Sequence, residues 1–256
     1  MIRVIINSDD FGFDQTVNSS IINAFNSGLI SSTTTLVNYP DGLLDGYSKL
    51  LDNNIDFNSV GIHLNLTTGK PLTKSISKNP IFCLNGAFHS RIRDKPKFYF
   101  NKKSRADVQA ELEAQILRFI EVMGSKPAHI DGHHHIHTEY AIFKIIVKLA
   151  KKHQILYIRK TRNLGIRDIS LNKKLYKCFL NSIINKDFIS TNFFGSLNDL
   201  EGHEFDYSKT YEIMVHAVSK NDFSNIVLDD DGLILKDKIR KYLPDKFLLC
   251  RYGDLG

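Results

Sequence analysis

Ile2-Arg3-Val4-Ile5-Ile6 is a short β-branched run that leads into Asn7-Ser8-Asp9-Asp10-Phe11-Gly12. Branched side chains favour pleated backbone, so residues 2–7 read as a strand, with a turn at Asp9–Gly12. Val17, Ile21, Ala24 and Phe25 then recur at helical spacing, which predicts a helix over about 15–27 with Gly28 as its stop. The unit is an apolar strand, carboxylates at its C-terminal end, and a helix to follow.

The same unit recurs along the chain. Thr33–Val37 reads as a strand and a helix follows near 42–52. Val60-Gly61-Ile62-His63-Leu64-Asn65-Leu66 places apolar residues at 60, 62, 64 and 66, a period of two that makes a strand and turns His63 to the opposite face. Leu112, Ile116, Phe119, Ile120 and Met123 mark a helix over about 106–123, closed by Gly124. Pro127–Asp131 and Ile155–Arg159 read as strands on either side of a helix at Glu139–His153. A helix within 170–185, a strand at Tyr211–Val215, a helix near 232–242 and a last strand at Phe247–Cys250 complete the series.

Such alternation argues for parallel strands with crossover helices, hence an α/β architecture. A barrel is favoured over a doubly wound sheet because Asp9, Asp10, His63, His133 and His216 all end predicted strands, and barrel enzymes assemble their sites at that face. The expectation is a TIM-like βα barrel, irregular and with fewer than eight strands. Residues 1–256 are read as a single domain. Residues 67–104 lack a clear period and contain Pro71, Pro80 and Pro96, which predicts a loop-rich insertion.

Composition bounds the function. With 256 residues, 42% hydrophobic and 11% aromatic, the chain can bury a sizeable core and is not intrinsically disordered. Cys83, Cys178 and Cys250 are odd in number and far apart, which draws no disulfide framework and suits a reducing compartment. No stretch resembles a signal peptide and none reaches the ~18 apolar residues of a membrane span. The expected location is cytoplasmic. The formal charge of +6 favours anionic ligands only mildly. One basic cluster, Lys95–Arg105, interleaves aromatics (Phe98, Tyr99, Phe100), too little to expect nucleic acid as a partner. A homo-oligomer is left open.

His129-Ile130-Asp131-Gly132-His133-His134-His135-Ile136-His137 carries the strongest chemical signal. Five of the ten histidines fall within these nine residues, where an even spread would place roughly 0.35. An extended chain would turn 129, 133, 135 and 137 to one side. Imidazole is the commonest protein metal ligand. A terminal tag would not sit between an apolar strand and an amphipathic helix. One ion accepts only two or three ligands from so short a stretch, so the remaining histidines would orient ligands or contact substrate. The adjacent Asp9 and Asp10 point different ways, so one can bind a cation while the other accepts a proton. Taken alone, such a pair also suits a helix N-terminus. His63 lies on the polar side of an alternating strand, and His216 ends an apolar run.

These segments, with Ser31-Ser32-Thr33-Thr34-Thr35-Leu36-Val37-Asn38, Gly69-Lys70-Pro71-Leu72 and Glu212-Ile213-Met214-Val215-His216, resemble the YdjC-like carbohydrate deacetylases, chitooligosaccharide deacetylases among them. The motif order spans nearly the whole chain. The resemblance implies a TIM-like barrel related in site layout to the NodB-type polysaccharide deacetylases. It also implies that Asp10, His63 and His133 hold one divalent cation. Asp9 would be the general base and His216 the histidine across the substrate, while Asp131, His135, His137 and Arg159 would support ligands or contact substrate. Nitrogen ligands lean to Zn2+ over Mg2+, yet the family is associated with magnesium as well, so either ion is expected. The chain departs from the family at Ala217, where proline is common, and in Arg251-Tyr252-Gly253-Asp254, where an arginine often precedes the last aspartate.

The implied reaction is hydrolysis of an N-acetylated sugar by metal-activated water, with Asp9 taking the proton and His216 protonating the departing amine. Two other readings fit the same residues. A barrel phosphoesterase or amidohydrolase would bridge two metals. A non-enzymatic basic protein would store metal or bind nucleic acid, with strong salt dependence.

Overall fold

In the computed structural model, which describes residues 1–93, 99–166, 169–219 and 227–255, β1 (Ile2–Phe11) is the spine of the main sheet. It is followed by α1 (Gln15–Asn26), β2 (Ser32–Thr35), α2 (Pro40–Asp52) and β3 (Val60–Leu64). A short α3 (Lys74–Ser77) and a two-stranded hairpin, β4 (Cys83–Leu84) and β5 (Ala87–Phe88), precede α4 (Lys102–Met123). Then come β6 (Ile130–Gly132), α5 (Tyr140–Lys152), α6 (Leu171–Asp187), β7 (Phe193–Ser196), β8 (Thr210–Val215), α7 (Leu235–Tyr242) and β9 (Phe247–Leu249).

Seven strands form one curled sheet in the order β6-β3-β2-β1-β8-β7, with β9 beside the first half of β1. Every pairing in it is parallel. Segment 157–164 lies between the two edge strands: Arg159 N donates to Ile130 O, and Asn163 N donates to Phe194 O. Among the described residues this is the expected irregular α/β barrel, with fewer than eight strands.

The alternation of β1 shows how the molecule is layered. Ile2, Val4 and Ile6 belong to the large apolar core between sheet and helices, while Ile5 joins Cys250 and Tyr252 in a small separate cluster. Val60, Ile62 and Leu64 of β3, Ile130 of β6, and Tyr211, Ile213 and Val215 of β8 also face the helices. The residues between them fill the inside of the barrel, and they are Asn7, Asp9, His63, His129, Asp131 and Glu212, all buried. Barrels usually pack this space with branched apolar side chains. Here a hydrogen-bonded network fills it. Both faces of the sheet are covered, as parallel sheets require.

Several expectations need correction. The strand does not turn at Asp9–Gly12; it continues to Phe11 through a bulge between Ser8 and Phe11. Ile155–Arg159 makes only isolated bridges, Ile130 with Ile158 and Tyr157 with Ile189, because it contacts each neighbour over too short a run for a ladder. β7 was not foreseen, since Phe-Phe-Gly-Ser has no alternation. α4 starts four residues early, with the Asn101 side chain accepting from Ser104 N at 2.8 Å; its first turn, Lys-Lys-Ser-Arg, carries no apolar period. The basic cluster Lys95–Arg105 falls partly outside the described residues (95–98). Of its aromatics, Phe100 is buried against Phe82 at 5.4 Å and serves the core.

Residues 67–93 are tied to the barrel through Glu111 of α4. Its carboxylate accepts from Leu72 N at 3.0 Å, and from Thr73 N and Oγ1 at 2.8 Å each.

Gly12 holds the β1–α1 corner. Its φ is +82°, and a Cβ there would stand 2.5 Å from the Leu36 carbonyl oxygen. A left-handed backbone and a fixed carbonyl together leave no room for any side chain. Gly12→Ala is expected to cost about 1–3 kcal/mol of stability, read as a lowered denaturation midpoint with an unchanged slope.

Candidate metal and acid–base site

The end of β1 divides two neighbouring carboxylates. Asp10 takes φ +72°, a region that non-glycine residues enter only when their surroundings impose it. That rotation sends Asp9 into the barrel and Asp10 up to its rim. Register then supplies the partners. His63 of β3 lies opposite Asp131 of β6, and the His63 Nδ1 donates to Asp131 Oδ1 at 2.6 Å. Thr34 Oγ1 donates to the other oxygen of Asp131 at 3.0 Å.

With Nδ1 engaged, His63 turns Nε2 toward Asp10 Oδ1 at 3.3 Å, and His133 brings its Nδ1 to the same oxygen at 2.8 Å. The donor atoms of Asp10, His63 and His133 all lie within 4.8 Å of one another. Asp10 Oδ1 is buried without a hydrogen-bond donor of good geometry. Two imidazoles and one carboxylate, with a second carboxylate fixing one imidazole from behind, form a donor set suited to a divalent cation. Burial would raise the Asp10 carboxyl, but the close approach of the His133 and His63 imidazoles holds it well below the usual carboxylate range. Burial would lower His63, but Asp131, Asp10 and Asp9 push it up to about 10.

Asp9 belongs to a different environment. Arg159, fully buried, grips it with two parallel bonds, Nη1 to Oδ2 and Nη2 to Oδ1, both 2.8 Å. Asn7 Nδ2 donates to Oδ1 as well, at 2.8 Å. The same guanidinium meets Asp131 Oδ2 at 2.5 Å through Nη1 and Glu212 Oε1 at 2.7 Å through Nε. Phe194 lies under its face at 4.8 Å. Burial alone would raise the Asp9 carboxyl; the Arg159 charge, aided by His63, overrides it and keeps Asp9 ionised.

His216 stands half-buried past the end of β8. Its Nδ1 is 3.3 Å from Asp230 Oδ2, and its backbone N donates to Asp229 Oδ1 at 3.0 Å. Lys238 fixes Asp229 in turn at 2.5 Å. Burial would lower His216, but the bond to Asp230 and the charges of Asp9 and Asp10 raise it.

The rest of the histidine run does not extend. Residues 133–138 form a tight helical turn in which His134 (φ 55°) and His135 (φ 59°) are left-handed, so the one-sided array of 129, 133, 135 and 137 is not formed. His134 contacts Thr67 Oγ1 through Nδ1 at 3.0 Å. His135, lowered to about 3 by burial and by Arg159, lines a neighbouring cavity of about 580 Å³ with Thr161, Arg162, Lys173, Tyr176 and Lys177. His137 and His129 are buried with no hydrogen-bond partner among the described residues.

The structure thus gathers Asp9, Asp10, His63, His133, Asp131 and Arg159, with His216 facing them, and sets His135 and His137 aside. Sequence reasoning missed Thr34, Glu212 and Tyr252. Glu212 left a signal, a carboxylate inside the apolar run Tyr211–Val215. Tyr252 left none.

Comparison with known proteins gives the following. The sequence model of the family described as YdjC-like protein matches residues 3–235. A solved protein of Enterococcus faecalis V583, provisionally described as a cellobiose-phosphate cleavage protein, aligns over 100% of this chain and 99% of its own. It is 21% identical with a TM-score of 0.72, a likeness of fold. A CE4-family pseudoenzyme mutant with restored enzymatic activity aligns over 99% of this chain and 66% of its own, at 10% identity and a TM-score of 0.48.

A pH effect follows from His63. Its pKa is raised from 6.5 to about 10, so its contribution to stability is complete below pH 6.5 and is lost as pH rises through 10. In chelator, the melting temperature should fall across that window, and His63→Gln should flatten the fall. A level wild-type profile contradicts the ion pairs described.

Proposed function

The chain belongs to the YdjC-like family, and from that premise we propose that it removes the acetyl group of an N-acetylated sugar at a single-cation site. One observation carries the reading: the Asp10, His63 and His133 donors converge beside a carboxylate, Asp9, that Arg159 keeps ionised. The chain is read as one domain, with 67–104 as its insertion.

A divalent cation held by Asp10, His63 and His133 would supply Lewis acidity, polarising the amide carbonyl and acidifying a water. Asp9 offers a carboxylate oxygen as the proton acceptor. Held so far below its ordinary pKa it is a weak base, and it needs a donor that has been made acidic. His216, with Nδ1 turned to Asp230, keeps Nε2 to protonate the leaving amine. Its raised pKa leaves more of that proton in place near neutrality. Asp131 fixes the ring of His63.

A two-metal phosphoesterase is the weaker reading. Two further candidate groups exist among the described residues, and each already holds a cation: Arg159 bridges the carboxylates of Asp9 and Asp131 in the group they form with His63, and Lys238 pairs with Asp229 in the group of His216, Asp229 and Asp230. The substrate reading extends to a phosphorylated disaccharide. The Enterococcus faecalis protein is provisionally described as a cellobiose-phosphate cleavage protein, and the cavity beside His135 is lined by Arg162, Lys173 and Lys177 with one carboxylate, Glu139, while Asp199 pairs with Arg162 at 3.3 Å.

Acetate release from N-acetylglucosamine oligomers and their phosphates, measured with added Zn2+ or Mg2+, tests the proposal. Asp9→Asn should lower kcat ~10²–10⁴-fold while metal stays bound; full activity in that variant removes Asp9 from the mechanism. Arg162→Ala with Lys177→Ala should raise KM at least tenfold for the phosphorylated substrate alone. An equal rise for the unphosphorylated sugar rejects the phosphate assignment.

A further inference from the structure

We infer that Glu212 and Tyr252 are positioning residues that fix the Arg159 guanidinium, and through it the orientation of Asp9. This deepens the reading above and rests on it for Asp9's part in the reaction.

Arg159 is a long side chain that must present its two terminal nitrogens to Asp9 in one plane. The bidentate pair fixes one edge of the fork. The other edge, Nε, is fixed by Glu212 Oε1 at 2.7 Å. Glu212 is fully buried on β8, opposite Ile5, and its second oxygen accepts from the Tyr252 hydroxyl at 2.5 Å. A continuous line of bonds therefore runs from Tyr252 to Glu212, Arg159 and Asp9.

The tyrosine end is itself held. Its ring is buried and stacks on His129 with centroids 4.0 Å apart and planes 17° apart. Cys250 N donates to Val4 O at 2.9 Å, and Ser31 Oγ donates to Cys250 O at 2.6 Å, anchoring the turn against β1. The strand that carries Asp9 thus also anchors the turn that carries Tyr252. Without the hydroxyl, Glu212 Oε2 would be a buried acceptor with no donor, and the carboxylate would no longer be held in the plane of Nε. Asp131, already at 2.5 Å from Nη1, would then compete with Asp9 for the guanidinium.

Tyr252→Phe keeps the ring and deletes only the hydroxyl. Two measurements on the full chain decide the matter. The first is the Arg159 Nε–H resonance in a proton–nitrogen spectrum, assigned through the side-chain carbons, which needs no activity. The second is kcat and KM for acetate release. The expected result is a displaced Arg159 resonance, kcat lowered about tenfold and KM unchanged. Glu212→Gln, measured in the same way, should move the same resonance and provides the test if Tyr252→Phe does not fold. An unmoved resonance overturns the inference. A moved resonance with unchanged kcat also overturns it. If the wild-type protein releases no acetate from any sugar, the deacetylase reading fails, and the resonance still decides whether Tyr252 holds Arg159.

Discussion

One buried cation organises the inside of this barrel. Arg159 sits at zero exposure among Asp9, Asp131 and Glu212, side chains that come from β1, β6 and β8. Taking a guanidinium out of water costs several kcal/mol, and only well-formed bonds to nearly all its donors offset that. Here the fork is engaged on both edges and its face rests on an aromatic ring. Each carboxylate alone would be as hard to bury. Together they make a polar interior tolerable, and they lock strands from opposite sides of the sheet into one register.

This arrangement separates what holds the fold from what equips the site. Apart from Ile5, the buried apolar residues of β1, β3 and β6, with Tyr211, Ile213 and Val215 of β8, face outward onto the helices, where burial contributes roughly 25 cal/mol per Å². The inward residues contribute little by apolar burial and are chosen for charge and hydrogen-bonding capacity. Backbone strain is also present at this rim. Asp10, His134 and His135 all adopt positive φ, a cost of order 1–3 kcal/mol each that the surrounding packing must hold in place.

Much of this was legible in the chain, for a physical reason. A polar residue within or ending an apolar run has to be accounted for, and Asp9, Asp10, His63 and His216 stood out that way. The helices were legible from their period, and α5 fell within one residue of its expected bounds. Other features left no such trace. Residues 155–159 looked like a strand because isolated bridges and ladders draw on the same β-branched residues. The run 133–137 looked extended because nothing in four histidines and one isoleucine announces a left-handed turn. Tyr252 was invisible because its role depends on Glu212, forty positions earlier, and a single tyrosine near a chain end carries no pattern.

The division between Asp9 and Asp10 shows why adjacent residues can hold opposite duties. In a regular strand, neighbours would point to opposite faces of the sheet, and one of these carboxylates would meet the apolar outer layer. The bulge and the positive φ of Asp10 break that alternation, so both stay on the polar side at different depths. The deeper one meets a permanent cation that keeps it ionised at rest. The shallower one meets two imidazoles, nitrogen donors that can share a bound cation with it. A fixed counter-charge below and an exchangeable one above follow from one rotated residue, and neither aspartate could exchange places with the other.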